Sequence, residues 1–310
     1  MNAKNWLQLW ATITIMGIVS LIGLITLSPI PLRFSNSISY DVKLNFLRNS
    51  NFLEGTNTLV IGSSMALNNI DGPDIEEEVS KVSKIANLAS WGLQTSEVLQ
   101  LIKLINLDEI KYVVFSTQYL DFEEARRSKI DDAEVKSYLN NEFILSPYVT
   151  TLTSIPTNIS NYFNYSSTYL DPHKYTYLDY DKTGGSNIDL TKNEIDKERW
   201  DNRTKVKYKL DEACFTAFSE LSLLLKEKGI KLIVLTTPYR KAIMEDNTNL
   251  PDIYNQYVQK LEVLAKTDGF TYFNTHDSLN LDDSYFIDAL HLNKKGSKLV
   301  SDEIIKILKD

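Results

Sequence analysis

The chain has 310 residues, 43% hydrophobic and 24% charged, enough apolar mass for one large domain or two small ones. Its net charge of −8, with lysines scattered among acids, excludes the concentrated basic face that a nucleic-acid partner requires. The single cysteine, Cys214, excludes an internal disulfide and sits among apolar neighbours as a core residue; with three histidines it gives no reason to invoke a metal or other cofactor.

No charged residue occurs between Lys4 and Arg33, and Leu7 to Leu27 is apolar. About 20 such residues cross a bilayer as a helix, with Trp6 and Trp10 at interfacial positions and Pro29 and Pro31 ending the span. The run is long for a signal peptide and lacks an Ala-x-Ala-like cleavage site. Residues 6–28 are therefore expected as an uncleaved anchor behind a cytoplasmic tail, residues 1–5. The body then lies outside the cell membrane, an orientation resting on the short tail because the flanking charges balance. Residues 29–54 read as a juxtamembrane connector with a helix over 40–49.

Residues 55–310 read as one α/β domain. Leu59-Val60-Ile61 is a buried strand, Gly62 allows a sharp turn, and Ser63-Ser64 opens helix-compatible sequence; such a junction presents a serine at the top of a sheet, although it also suits an ordinary turn or N-cap. A short helix over 74–79 carries acids in its first turn. A second strand over 83–89 ends in Ser90-Trp91-Gly92, and a helix over 95–106 places Val98, Leu101, Ile102 and Ile105 on one face. A third strand, 112–117, runs into Gln118. Three βα units imply a parallel sheet with right-handed crossovers, and ligands of such sheets sit at the strands' carboxyl ends, where Ser64, Gly92 and Gln118 fall.

The stretch over about 125–204 breaks this rhythm and reads as an insertion. Its Tyr162, Phe163, Tyr165, Tyr169, Tyr175, Tyr177 and Tyr180 suit an aromatic wall for a sugar polymer, or packing of the insertion against the sheet. Asn158, Asn164 and Asn202 match the glycosylation pattern. The rhythm resumes with a helix over 204–228 closed by Gly229, a fourth strand over 230–235, a helix over 253–267, a last strand over 270–274, and a terminal helix to 308. The predicted fold class is α/β: a three-layer doubly wound parallel sheet of flavodoxin-like order, with an N-terminal transmembrane helix and an inserted segment.

Ahead of the terminal helix stands Asp288-Ala289-Leu290-His291. A serine hydroxyl needs an imidazole to take its proton during attack on a carbonyl, and His291 is the candidate for Ser64. A carboxylate on Nδ1–H fixes the tautomer and stabilises the imidazolium; Asp288, three residues earlier, suits that role. The oxyanion then needs donors, for which the backbone N–H groups of Ser64 and Gly92 and the Gln118 amide are the candidates, each worth roughly 10²- to 10³-fold in rate. Taken singly, Asp288 suits a turn cap and His291 a donor to a carbonyl. His276-Asp277 is the competing pair and His173 lies in the insertion; both read as surface loop residues.

Gly-x-Ser after the first strand, a glycine loop after the second, a polar residue after the third and Asp-x-x-His before the last helix together resemble the SGNH (GDSL-type) hydrolase superfamily, over about 55–310 apart from the insertion. The most specific part is Phe286-Ile287-Asp288-Ala289-Leu290-His291-Leu292-Asn293-Lys294-Lys295-Gly296. The resemblance implies Ser64 as nucleophile, His291 as base, Asp288 as its orienting group and Gly92 as an oxyanion donor. Where the family has Gly-Asp-Ser the chain has Gly62-Ser63-Ser64, and where it has Asn the chain has Gln118. In both it is similar to the membrane-anchored acyltransferase-like branch, the teichoic-acid D-alanine transfer protein and the exported proteins of polysaccharide O-acetylation, which also carry one N-terminal membrane helix. The expected function is an extracytoplasmic serine acyltransferase that O-acylates a cell-surface polysaccharide, fed by an integral membrane acyltransferase. The alternatives are a carbohydrate or lipid esterase of the same fold and a catalytically silent anchored binding protein.

Overall fold

The computed structural model describes residues 3–27, 30–125, 131–156, 160, 163–200, 209–246 and 249–310. Five strands, β1 (Thr58–Gly62), β2 (Ile85–Asn87), β3 (Tyr112–Thr117), β4 (Lys231–Thr236) and β5 (Thr271–Asn274), pair in parallel in the order β2-β1-β3-β4-β5. This is the doubly wound order expected: the strand order reverses beside β1, so the crevice at the sheet's carboxyl edge opens there.

The apolar runs in β1, β3 and β4 are explained by burial on both faces. Leu59, Ile61, Val113, Phe115, Leu232 and Val234 point to one side, against α5 (Thr95–Leu104), α6 (Glu212–Glu227) and α7 (Leu250–Asp268). Val60, Val114, Ile233 and Leu235 point to the other, against α3 (Ser64–Asn68), α4 (Gly72–Glu78) and α8 (Lys294–Lys309). Period-2 alternation along each strand thus feeds two separate cores.

The first helix, α1 (Ala3–Leu27), has 25 residues. At 1.5 Å per residue it is about 38 Å long, more than a hydrocarbon core of about 30 Å, and it is apolar enough to cross a membrane. The connector's helix, α2 (Ile38–Asn49), starts at Ser37, whose hydroxyl accepts from Tyr40 N–H, and buries Leu44 and Leu47 completely. It is therefore built into the body. The Lys43 amine lies inside, donating to the carbonyls of Asn87 (3.0 Å) and Gly184 and standing 3.9 Å over the Tyr180 ring, so that α2, the end of β2 and the insertion share one buried amine, whose pKa burial lowers to about 7.

Element boundaries moved where capping chemistry outweighed apolar pattern. Helix α6 begins only after Asp211, whose carboxylate accepts from Ala213 N–H; the expected start at 204 lies outside the described residues. Helix α7 is longer than expected, with a proline in its first turn and Gly269 at φ +86° closing it.

Candidate active site

Strand β1 delivers Ser64. Gly62 sits at φ +135°, a conformation that L side chains rarely adopt, and a Cβ there would lie 2.4 Å from the Ser116 carbonyl of β3. Only glycine lets the chain turn this close to its neighbour. Ser63 is buried, and Ser64 opens α3 with partial exposure. The loop after β2 runs alongside: Ser90 N–H reaches the Gly62 carbonyl at 3.4 Å. The hydroxyl of Ser39, on α2, accepts from the Ser90 hydroxyl and from Trp91 N–H, bracing this loop from α2. Gly92 is exposed at φ +67°.

Gln118 follows β3 and is buried. Its backbone N–H donates to Asp121 Oδ2 at 3.1 Å, and its side-chain Oε1 is buried with no hydrogen-bond partner among the described residues. Burial pushes Asp121 up to about 7, against the hydrogen bonds it receives from Gln118 and Thr117.

The Asp-x-x-His loop folds on its own carboxylate. Asp288 Oδ1 accepts from Leu290 N–H (2.9 Å) and His291 N–H (2.8 Å), while Oδ2 stands 2.8 Å from His291 Nδ1. Burial raises the proton affinity of Asp288, but the charge and hydrogen bond of His291 and the two backbone donors outweigh it and hold the carboxyl well below the usual range. The pair is thus an ionised aspartate holding an imidazole by Nδ1.

Asn69 joins this loop to the serine's helix. Fully buried just past α3, it donates through Nδ2 to Leu290 O (3.1 Å) and Thr237 Oγ1 (2.9 Å), and its Oδ1 accepts from Leu292 N–H (2.9 Å). The residues bonded on either side of His291 are therefore fixed to a side chain five positions after Ser64. Among the described residues the Ser64 hydroxyl forms no hydrogen bond, so no Ser64–His291 bond is made in this resting geometry, and catalytic bonds commonly tighten only when substrate is bound.

The insertion reaches the same place. Tyr175 Oη lies 2.8 Å from Asp288 Oδ2 and 2.8 Å from His291 Nδ1, its ring edge-on to the imidazole at 5.5 Å, and the Arg199 guanidinium lies 3.5 Å over the Tyr175 ring. Beside the pair opens a cavity of about 180 Å³, walled by Tyr119, Tyr239, Ile243 and Leu250, with Arg199 on its lining. Arg240 secures the arrangement from behind: its Nη1 donates to Trp200 O at 2.7 Å, its guanidinium stacks 3.9 Å over the Trp200 ring, Nε is 3.5 Å from Asp283 Oδ1, and its N–H donates to Ala289 O.

The competing histidine is structural. His276 Nδ1 accepts from Tyr239 N–H (3.1 Å) and its ring packs between Tyr239 and Tyr254, so it is a packing residue rather than a surface loop residue; burial lowers its pKa. His173 is exposed in the insertion. The aromatic wall divides: Phe163 is exposed, Tyr165 packs on Tyr169, Tyr180 covers Lys43, and Tyr175 joins the Asp288–His291 pair. Tyr162, Asn158 and Asn202 lie outside the described residues. Asn69, Arg199 and Arg240 were not singled out as site residues by the sequence, and Tyr175 was read only as part of an aromatic wall; an Asn-Asn pair closing a short helix and the Pro-Tyr-Arg after β4 were the available signals for Asn69 and Arg240.

No protein-family model and no curated protein matches the chain. Solved structures similar to it include a Bacteroides fragilis protein of inferred acylhydrolase activity (13% identity, 85% of this chain and 94% of that one, TM-score 0.44). A GDSL-like lipase from Bacteroides thetaiotaomicron gives 10% identity, 87% and 98% coverage and a TM-score of 0.44. The acetylxylan esterase Axe2 from Geobacillus stearothermophilus gives 11%, 83% and 95%, and 0.41.

Proposed function

We propose that the chain is a membrane-anchored serine acyltransferase of the SGNH type, acting outside the cell membrane on a hydroxyl-bearing cell-surface polysaccharide. The observation that carries this reading is the Asp288–His291 pair, fixed through Asn69 to the helix that Ser64 opens. Ser64 Oγ attacks the acyl carbonyl of a donor as its proton passes to His291 Nε2; the donor's leaving group departs with that proton, and Ser64 holds the acyl group as an ester. An acceptor hydroxyl then gives its proton to His291 and takes the acyl group, and Ser64 Oγ leaves and recovers the proton. The backbone N–H groups of Ser64 and Gly92 and the Gln118 amide are the proposed donors to the oxyanion. Tethering by α1 supports supply by an integral membrane acyltransferase, because confinement beside a donor raises its effective concentration.

The test has two stages. A fluorophosphonate probe labels wild type and leaves Ser64→Ala unlabelled; a folded wild type that never labels would remove Ser64 as nucleophile and favour a silent binding protein. Acyl content of the surface polymer then falls in cells carrying Ser64→Ala. A rise instead would assign hydrolysis, with water as the acceptor.

A further inference from the structure

We propose that Tyr175, brought in by the insertion, is a positioning residue of the Asp288–His291 pair, so that the insertion completes the active site. This rests on the triad reading above. Tyr175 lies 113 residues before Asp288, yet its hydroxyl sits 2.8 Å from both Asp288 Oδ2 and His291 Nδ1.

A phenol has one proton to donate, and two acceptors compete for it. Burial and the neighbouring Asp288 charge keep Tyr175 protonated. The ionised carboxylate is the stronger acceptor, since hydrogen bonds to charged groups are shorter and stronger than neutral ones. Tyr175 O–H therefore donates to Oδ2, and its lone pair faces the Nδ1–H that donates to the same oxygen. Two donors on one carboxylate oxygen hold the imidazole with its proton on Nδ1 and leave Nε2 bare to receive the Ser64 proton. Donation to Nδ1 would do the opposite: the ring proton would move to Nε2, and the base would be lost.

Among the described residues, the charged and titratable groups around His291 include Tyr119 and Tyr239, on the wall of the shared cavity. Its own loop supplies Asp288, the insertion supplies Tyr175 with Arg199 stacked 3.5 Å over it, and behind the loop stand Arg240 and Asp283, paired with each other. Removing the phenol proton donor concentrates negative charge on Oδ2, which favours the imidazolium. The protonated, inactive form of the base then persists to higher pH.

The experiment is the pH dependence of fluorophosphonate labelling of Ser64 in the full-length protein, for wild type, Tyr175→Phe, Arg199→Met and Asp288→Asn, with thermal unfolding of each. Phe keeps the ring against His291 and Arg199, so folding is expected to be retained. In Tyr175→Phe the plateau labelling rate falls by about tenfold, as expected for one charge-assisted hydrogen bond, and the acid limb moves up by roughly 0.5 to 1 pH unit. Arg199→Met moves the limb in the same direction by less. A merely structural tyrosine would change unfolding temperature without moving the limb. If Asp288→Asn abolishes labelling while Tyr175→Phe leaves rate and limb unchanged, the positioning role falls and the triad stands. Faster labelling in Tyr175→Phe also overturns the role, since the phenol would then be donating to Nδ1. If Asp288→Asn too labels like wild type, the triad reading itself falls.

Discussion

Replacing Asn69 tests whether the serine and histidine halves of the site are held in register by one side chain. In Asn69→Ala the buried Leu292 N–H and the part-buried Leu290 carbonyl lose their partner, as does the buried Thr237 Oγ1. An orphaned buried backbone group costs about 1–3 kcal/mol, so Leu292 N–H predicts a loss of that size, with a smaller addition from the part-buried Leu290 carbonyl, before any contribution from the hole left by the amide. The hydroxyl of Thr237 can turn elsewhere and is left out of that sum. Denaturant unfolding in detergent measures the stability loss; fluorophosphonate labelling, carried out where the variant is still folded and normalised to the folded fraction, measures the register. The expected result is a further fall in normalised labelling of at least about tenfold, because displacement of the reacting groups by about 1 Å costs far more in rate than in stability. A loss under 1 kcal/mol, or normalised labelling equal to wild type, would refute the proposition that Asn69 couples the two loops.

Two other substitutions probe the sheet's carboxyl edge. Gly62→Ala forces a Cβ to within 2.4 Å of the Ser116 carbonyl at φ +135° and should cost more than about 3 kcal/mol by denaturant unfolding. Gly92→Ala, at φ +67° with open space around it, should cost about 1–2 kcal/mol. Similar losses at the two positions would show that β1 and β3 can part locally. Asp121 is raised from 3.8 to about 7 on folding, so between those values the folded state holds a proton that the unfolded state has released, and stability falls as pH climbs through that window. The effect is bounded at about 4 kcal/mol and should be largely absent from Asp121→Asn, whose unfolding free energy measured at pH 5 and 7.5 should change less than that of wild type. Part of the slope remains in the variant, because buried Asp41 is raised to about 7 as well. Equal slopes in both proteins would refute the assignment.

The fold was legible because its signals are local. Strands buried on both faces are continuous apolar runs, and Tyr112–Thr117 was placed to the residue; the helices between them announce themselves by period and caps. Strand β2 was overextended, to seven residues where three pair, because Leu88 and Ala89 are buried without pairing as strand: Leu88 N–H still reaches Val60 O while the chain turns toward the Gly92 loop. Burial supplies the apolar signature and pairing supplies the strand, and sequence pattern reports only the first. The same confusion treated α2 as a connector. Half its residues are polar or charged, and Ser39 and Lys43 look like solvent positions, yet both are buried because each finds partners on distant segments.

The Asp288–His291 pairing was legible in the sequence and its supports were not, for a physical reason. A serine on a strand-to-helix turn and an Asp-x-x-His loop are specified within a few residues each: Gly62 by its backbone angle, Asp288 by the two N–H groups it caps and the imidazole three positions on. Asn69 and Tyr175 are specified by nothing nearby. Asn69 is an ordinary helix-end residue until Leu290 and Leu292 arrive from more than 220 positions away, and Tyr175 is one tyrosine in a tyrosine-rich stretch until its hydroxyl meets Oδ2. A residue whose role is to satisfy another loop's buried polar groups has no sequence periodicity of its own, since its register is set by the partner. The way to find such residues beforehand is to ask where the partner's unpaired groups go: a loop that caps its own aspartate still leaves Leu290 O and Leu292 N–H to be satisfied, and a short polar amide beside the helix that Ser64 opens is among the few side chains able to meet both a donor and an acceptor there.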